Sequence, residues 1–145
     1  MLRVEFVRRK LELIAEDLER LLGFRDESLA SLKADPIRLA AVERLLERIV
    51  MRAIDINEHL LAELATAESR STRLTYRDTY LMLPGIGVLP ADLAESIARS
   101  AGLRNILVHD YNDVDRAIVH ASIRSCLEDY RRYLECVDLF LSSSG

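Results

Sequence analysis

Apolar side chains recur every three or four residues along most of this chain, the spacing of helices that bury one face. Gly23 follows the first such stripe and can end its helix. A short second helix is predicted over residues 27–33. The apolar positions of the first stripe are Val4, Val7, Leu11, Ile14, Leu18 and Leu21.

A long third helix is predicted to begin at Asp35-Pro36 and to run to about Ser69. A carboxylate can cap the first free amides of a helix, and proline is tolerated in its first turn. The apolar positions repeat with the seven-residue period of bundle packing. They are Val42, Leu46, Ile49, Ala53, Ile56 and Leu60.

Proline and glycine divide the second half of the chain. Residues 69–75 read as a loop, and a short helix over 76–83 precedes a turn at 84–87. Pro90 then opens a helix in which Gly102 is a weak point or a site of close helix approach. Its predicted buried positions are Leu93, Ile97 and Ala101.

A final helix is predicted over 114–141, capped by Asp113, with a frayed tail beyond it. The pattern as a whole predicts an all-α, up-and-down bundle of about five helices in a single domain, 1–145. The apolar positions assigned to the last helix are Ile118, Leu127, Tyr130, Leu134, Val137, Phe140 and Leu141.

Composition supports this fold, and a cytoplasmic protein is the default expectation. Half of the 145 residues are hydrophobic, only five are Gly, and no apolar run approaches the ~20 residues that span a bilayer. The acidic residues near the N-terminus are unlike a signal peptide. Cys126 and Cys136 lie ten residues apart in one predicted helix, ~15 Å along its axis, so both are expected to be free thiols.

The net charge of −4 argues against nonspecific nucleic-acid binding by the whole surface, so any RNA site must be a local basic patch. Arg44, Arg48 and Arg52 lie at successive i,i+4 positions of the third helix, where like charges repel. This stripe, which continues through Asp55 and His59, predicts contact with an anion such as RNA. Alternatively, Glu43, Glu47 and Asp55 neutralise it on a solvated face.

Residues 104–111, Arg-Asn-Ile-Leu-Val-His-Asp-Tyr, carry the clearest candidate chemistry. Arg104 can hold a phosphate bidentately and stays protonated at any working pH. His109 can act as acid or base near neutrality. Together they provide for RNA cleavage without a metal. The sequence contains no Glu-x-x-His pair or Gly-rich phosphate loop, and no cofactor is expected.

The order Arg, four residues, His, one residue, Tyr resembles the signature of the HEPN superfamily, in the form found in HepT-like toxins. The resemblance covers most of the chain: the helical first half, a middle helix at 52–59, the motif and the long last helix. It implies a HEPN-type bundle that forms a homodimer through its motif helices, which face each other across one cleft.

The resemblance also implies a metal-independent endoribonuclease toxin of a type VII-like toxin–antitoxin system, acting on tRNA or mRNA. His109 would take the proton of a ribose 2′-hydroxyl, Arg104 would stabilise charge on the phosphoryl oxygens, and Asn105 would orient His109 or the phosphate. The expected partner is an MNT-type nucleotidyltransferase antitoxin. It would attach AMP to Tyr111 and so block the cleft.

One geometric difficulty and two alternatives remain at the level of sequence. On a straight helix His109 lies ~140° around from Arg104, so either the helix loosens near 110–112 or a second copy completes the site. The first alternative is a non-catalytic HEPN module that binds a nucleotidyltransferase or nucleic acid. The second is a plain dimeric helical bundle with a structural role, in which Arg104, His109 and Tyr111 form a buried hydrogen-bond network that ties the motif helix to the last helix.

Overall fold

The computed structural model describes residues 1–66, 73–108 and 113–144, and every regular element within these ranges is helical. The all-α fold class is therefore confirmed. Two 3₁₀ turns, Leu83–Ile86 and Arg99–Gly102, precede the fifth and sixth helices. The α-helices are α1 (Val4–Leu22), α2 (Leu29–Ala34), α3 (Pro36–Leu64), α4 (Tyr76–Leu81), α5 (Ala91–Ala98), α6 (Leu103–Val108) and α7 (Asp113–Ser144).

The three long helices pack side by side, with α1 antiparallel to both α3 and α7. Residue numbers rise along α1 and the turn after it, while those of the ion-pair partners on α3 and α7 fall. Each of these helices therefore runs antiparallel to α1. The pairs are Lys10–Asp55 and Asp17–Arg52 between α1 and α3, and Arg8–Asp138 and Asp26–Arg124 toward α7.

The predicted apolar seam of α3 is confirmed, since all six of its members are fully buried. The helix begins as predicted, with the Asp35 side chain accepting from the Arg38 amide. The stripe of α1 is also buried, except that Val4 at its first residue is 36% exposed. Regular spacing therefore located the contact faces of both helices correctly.

The prediction for the last helix was partly wrong. Ile118 is 41% exposed, while Leu127 and Leu134 are only half-buried at the edge of α1. Three of the seven predicted positions, Tyr130, Val137 and Leu141, are buried as expected, and the core face also takes in Tyr133, whose hydroxyl is hydrogen-bonded to Asn57. That face consists of Val119, Ile123, Cys126, Tyr130, Tyr133, Val137 and Leu141.

Two predicted helix ends also need correction. α3 ends at Leu64 rather than near Ser69, because Ala65 turns to an extended conformation with ψ 159°. The tail predicted to fray is helical to Ser144, and the Ser143 hydroxyl donates to the Leu139 carbonyl at 2.9 Å, a bond that serine often makes within a helix. The predicted loop at 69–75 lies mostly outside the described residues.

The helix predicted to run from Pro90 into the motif is interrupted. α5 ends at Ala98, and the Arg99–Gly102 turn separates it from α6, which carries the start of the motif. Gly102 is the weak point, but a Cβ at this position would meet no atom within 4 Å, so close helix approach is not the reason for glycine. Gly87, by contrast, adopts φ +80°, a left-handed conformation that favours glycine.

Both cysteines are free thiols, as expected, with Cys126 buried and Cys136 half-buried. Burial raises the pKa of the Cys126 thiol to about 12. Burial also raises the pKa of the Cys136 thiol, so neither residue presents a thiolate near neutral pH. None of the helices in the described ranges has both the length and the apolar character required to cross a bilayer.

Candidate active site

The side chain of Arg104, the second residue of α6, lies against the ring of Tyr76 at the start of α4. Its guanidinium carbon is 5.4 Å from the ring centre, and Nη1 donates a long hydrogen bond of 3.4 Å to the phenol oxygen. A guanidinium at this distance is attracted by the negative face of an aromatic ring. Since Arg104 is half-buried, this contact restricts its orientation while part of the side chain still meets water.

A chain of buried hydroxyls reaches the turn that precedes α6. The Tyr80 and Tyr130 oxygens are 2.6 Å apart, as are the Tyr130 oxygen and Ser100 Oγ. Ser100 Oγ also donates to the Ile97 carbonyl at 2.6 Å. A carbonyl only accepts and each hydroxyl has one proton, so the protons point from Tyr80 to Tyr130 to Ser100. This chain ties the turn to α4 and α7.

A second buried chain ends at Tyr76 itself. The Tyr133 hydroxyl donates to Asn57 Oδ1 at 2.6 Å, and Asn57 Nδ2 donates to Thr79 Oγ1 at 3.3 Å. The Thr79 hydroxyl then donates to the Tyr76 carbonyl at 2.7 Å. A capping box between Thr75 and Asp78 fixes the same turn of helix. The backbone that carries the Tyr76 ring is thus held on two sides.

Both chains are neutral and complete. Burial raises the pKa of Tyr80, Tyr130 and Tyr133 well above that of an ordinary phenol, so all three hydroxyls stay protonated as the chains require. Across the described ranges, no buried side-chain nitrogen or oxygen lacks a hydrogen-bond partner. Fully satisfied buried networks favour a single arrangement, so Arg104 and Tyr76 project from a fixed support.

The other motif residues are only partly placed. Asn105 is exposed on α6. His109 and Tyr111 lie outside the described residues, so their roles and the predicted Arg–His–Tyr geometry stay predictions. No group of three or more His, Cys, Asp or Glu side chains within 1–66, 73–108 and 113–144 is arranged to hold a metal ion.

The arginine stripe of α3 lies largely against α1. Arg48 Nε and Arg52 Nη1 are 3.1 and 2.8 Å from Asp17 Oδ2, while Arg44 is exposed and 3.4 Å from Glu47. The solvated-face alternative is confirmed for Arg44, which pairs with Glu47, but the carboxylate that pairs with Arg48 and Arg52 is Asp17 of another helix. RNA contact by the three arginines stays a prediction.

The remaining members of the stripe also bind α1. Asp55 accepts from Lys10 Nζ at 2.9 Å. His59 Nε2 accepts from the Arg3 amide at 2.9 Å, and its ring packs edge-on against Phe6 with centroids 5.3 Å apart. From Arg48 to His59 this polar stripe therefore joins α3 to α1.

Sequence reasoning missed three residues that organise these contacts. Asp17 lies within the apolar stripe of α1, three residues after Ile14, and Asn57 lies in that of α3 next to Ile56. A polar residue at a core position can be recognised in the sequence and indicates a buried contact, because burying a polar side chain is favourable only when it has hydrogen-bond or ion-pair partners. Tyr76 had no such signal, because its contact with Arg104 joins two helices across the intervening loop and turns.

Two curated relatives have nuclease names. The chain is 36% identical over 132 residues to the tRNA nuclease HepT of Aphanizomenon flos-aquae, a match that covers 91% of this chain and 87% of the relative. It is 27% identical over 92 residues to the mRNA nuclease HepT of Shewanella oneidensis, covering 63% of this chain and 66% of that protein.

A solved structure shares the fold. It is a tri-AMPylated HEPN toxin of Shewanella oneidensis in complex with an MNT antitoxin, and it superposes with a TM-score of 0.76 at 22% sequence identity. The superposition covers 92% of this chain and 97% of that one. At this identity the match concerns the arrangement of helices.

The family model called Ribonuclease HepT-like matches residues 11–137, which include the whole motif and every helix from α2 to α6. Together with the 36% identical relative, this match agrees with the resemblance inferred from the spacing of Arg104, His109 and Tyr111. The chain belongs to the HepT-like ribonuclease family of the HEPN superfamily.

Proposed function

We propose that this chain is a metal-independent endoribonuclease, the toxin of a type VII-like toxin–antitoxin pair acting in the cytoplasm. The observation that carries the proposal is the 36% identity to a tRNA nuclease over 91% of the chain. The same chain retains both Arg104 and His109 in the family spacing. We take tRNA as the first substrate to test, with mRNA as the second.

In the proposed reaction, His109 removes the proton of a ribose 2′-hydroxyl, and the 2′-oxygen attacks the adjacent phosphorus. The bond from phosphorus to the 5′-oxygen of the next nucleotide breaks, and that oxygen takes a proton either from the protonated His109 or from water. Arg104 binds the phosphoryl oxygens as their negative charge grows. Its support on Tyr76 is consistent with this role, because a preorganised cation needs little rearrangement during the reaction.

A homodimer is the assembly that fits this mechanism. Arg104 and His109 diverge by ~140° on a regular helix, so one copy of the motif does not direct both at a single phosphate. Two copies related by a two-fold axis would bring two motifs to one cleft. We therefore propose that this one cleft is lined by residues of both protomers.

The mechanism predicts specific products. Purified protein incubated with tRNA and excess EDTA is expected to release fragments ending in a 2′,3′-cyclic phosphate and a 5′-hydroxyl. End-specific enzymatic labelling and mass spectrometry of the fragments would identify these ends. Cleavage that disappears with EDTA and returns with a divalent metal would contradict the proposal. Absence of cleavage on tRNA and mRNA would favour the non-catalytic binding module.

We further propose that an MNT-type nucleotidyltransferase antitoxin silences the toxin by transferring AMP from ATP to the Tyr111 hydroxyl, with release of pyrophosphate. The relative solved as an AMPylated toxin with its MNT antitoxin supports this. The added phosphate would occupy Arg104 and the adenosine would fill the cleft.

Co-expression with such an antitoxin is expected to add one or more adenylyl groups to the peptide that contains Tyr111, and to abolish RNA cleavage. Intact-protein and peptide mass spectrometry would count and locate them. The Tyr111→Phe variant is the control, since it retains the ring but has no hydroxyl to modify. If co-expression with the antitoxin fully inactivated this variant without adding mass elsewhere on the chain, modification would not be the silencing step.

A further inference from the structure

We propose that Tyr76 is a positioning residue of the nuclease site, which holds the Arg104 guanidinium in the orientation that meets the phosphate. This inference rests on the proposed function. Tyr76 is outside the motif and precedes it by 28 residues, yet its ring and hydroxyl both contact the motif arginine.

The ring supplies most of the contact. The guanidinium carbon lies 5.4 Å from the ring centre, inside the ~6 Å range of a cation–π interaction, whereas the hydrogen bond is long at 3.4 Å. An arginine side chain has four rotatable bonds, and a planar surface beside it removes much of that freedom. The aromatic face, more than the hydroxyl, therefore determines where the guanidinium points.

The backbone that carries the ring is held by the core. The Tyr76 carbonyl accepts from Thr79, whose hydroxyl accepts from Asn57 and through it is joined to Tyr133. Thr79 is 1% exposed and both Asn57 and Tyr133 are fully buried. Tyr76, by contrast, is 36% exposed, so its outer edge reaches the surface where Arg104 meets solvent. The site arginine is thus braced from the core of the bundle.

The experiment compares wild-type protein with Tyr76→Leu and Tyr76→Phe, measuring kcat and KM for RNA cleavage. The leucine variant is expected to lower kcat about 10-fold with little change in KM, because a misdirected guanidinium loses transition-state contacts. The phenylalanine variant keeps the ring and is expected to stay within about 2-fold of wild type. Phe24→Leu is the matched control, since Phe24 lies 4.9 Å beneath Arg38 in another cation–π pair.

A double-mutant cycle between Tyr76 and Arg104 separates a positioning role of Tyr76 from other roles. In an Arg104→Ala background, Tyr76→Leu is expected to have no further effect on kcat. A raised KM with unchanged kcat in Tyr76→Leu would overturn the inference and indicate that the ring stacks on an RNA base. A further 10-fold loss of kcat when Tyr76→Leu is added to Arg104→Ala would also overturn it. Tyr76→Gln is made as a second variant, because the half-exposed site accepts a polar side chain if leucine prevents folding.

A readout without RNA keeps the two proposals distinct. In NMR spectra the ring current of Tyr76 is expected to shift the Arg104 Nε–H resonance, and Tyr76→Leu would remove that shift while Tyr76→Phe retains it. If wild type cleaves RNA and both Tyr76→Leu and Tyr76→Gln cleave at the wild-type rate, the positioning role fails and the nuclease proposal stands. If wild type does not cleave RNA, the nuclease proposal fails, and the positioning role of Tyr76 fails with it.

Discussion

The His109→Ala variant is expected to cleave RNA about 10² to 10⁴ times more slowly than wild type, the contribution of a positioned general base. Loss of the imidazole leaves no group with a pKa near neutrality at this position of the motif to accept the 2′-proton. Arg104 would still bind the phosphate, so KM is expected to change much less than kcat. Single-turnover cleavage with saturating protein would measure the chemical step directly.

The matched control is His120→Gln. The His120 ring contacts the Glu27 carbonyl at 2.7 Å and ties α7 to the segment before α2, so its replacement tests loss of a histidine elsewhere in the fold. This variant is expected to cleave at nearly the wild-type rate. If His109→Ala cleaved RNA at the wild-type rate, His109 would not be the general base. An equal loss of cleavage rate in the His120→Gln variant would also remove that assignment.

The second large effect concerns stability. Asp17→Ala is expected to lower the free energy of unfolding by about 3 kcal/mol, because it leaves the half-buried Arg48 and Arg52 without their carboxylate. Asp17 is fully buried and lies within 3.1 Å of three guanidinium groups, on Arg20, Arg48 and Arg52. Breaking a buried pair typically costs 3–5 kcal/mol. We expect the lower end, since the side chain of Arg20 is 57% exposed and that of Arg48 35% exposed.

Urea unfolding followed by circular dichroism would measure the change. Asp138→Ala is the matched control, since Asp138 also bridges two helices, 2.7 Å from Arg8, but both side chains are well exposed. Such surface pairs contribute about 0.2–1 kcal/mol. Equal losses in the two variants would refute a special role for the buried carboxylate.

The Asp17 cluster shows how an arginine stripe can be misread from one helix alone. Three like charges at i,i+4 positions predicted an anionic partner, and an anion is present for two of them, but it is a side chain of the neighbouring helix. The partner is 35 residues away from Arg52 in sequence. Only the antiparallel packing of α1 on α3 reveals which carboxylate is opposite which arginine.

The last helix shows the same limit in the core. Its apolar residues lie on more than one face, so periodicity alone chose a stripe that includes the exposed Ile118. The true face includes Tyr130 and Tyr133, whose hydroxyls find acceptors on the α5–α6 turn and on α3. A buried hydroxyl is favourable only with a partner, and that partner belongs to another helix.

By itself the sequence determined what depends on local spacing: the apolar faces of α1 and α3, the capped start of α3 at Asp35, and the Arg104–His109–Tyr111 signature of the family. The tertiary structure decided which groups meet. It placed Tyr76 under Arg104, joined Asp17 to α3, and extended two hydroxyl chains from α7 toward the motif. These contacts link residues far apart in the chain, and their energy depends on distances and burial that arise only when the helices pack.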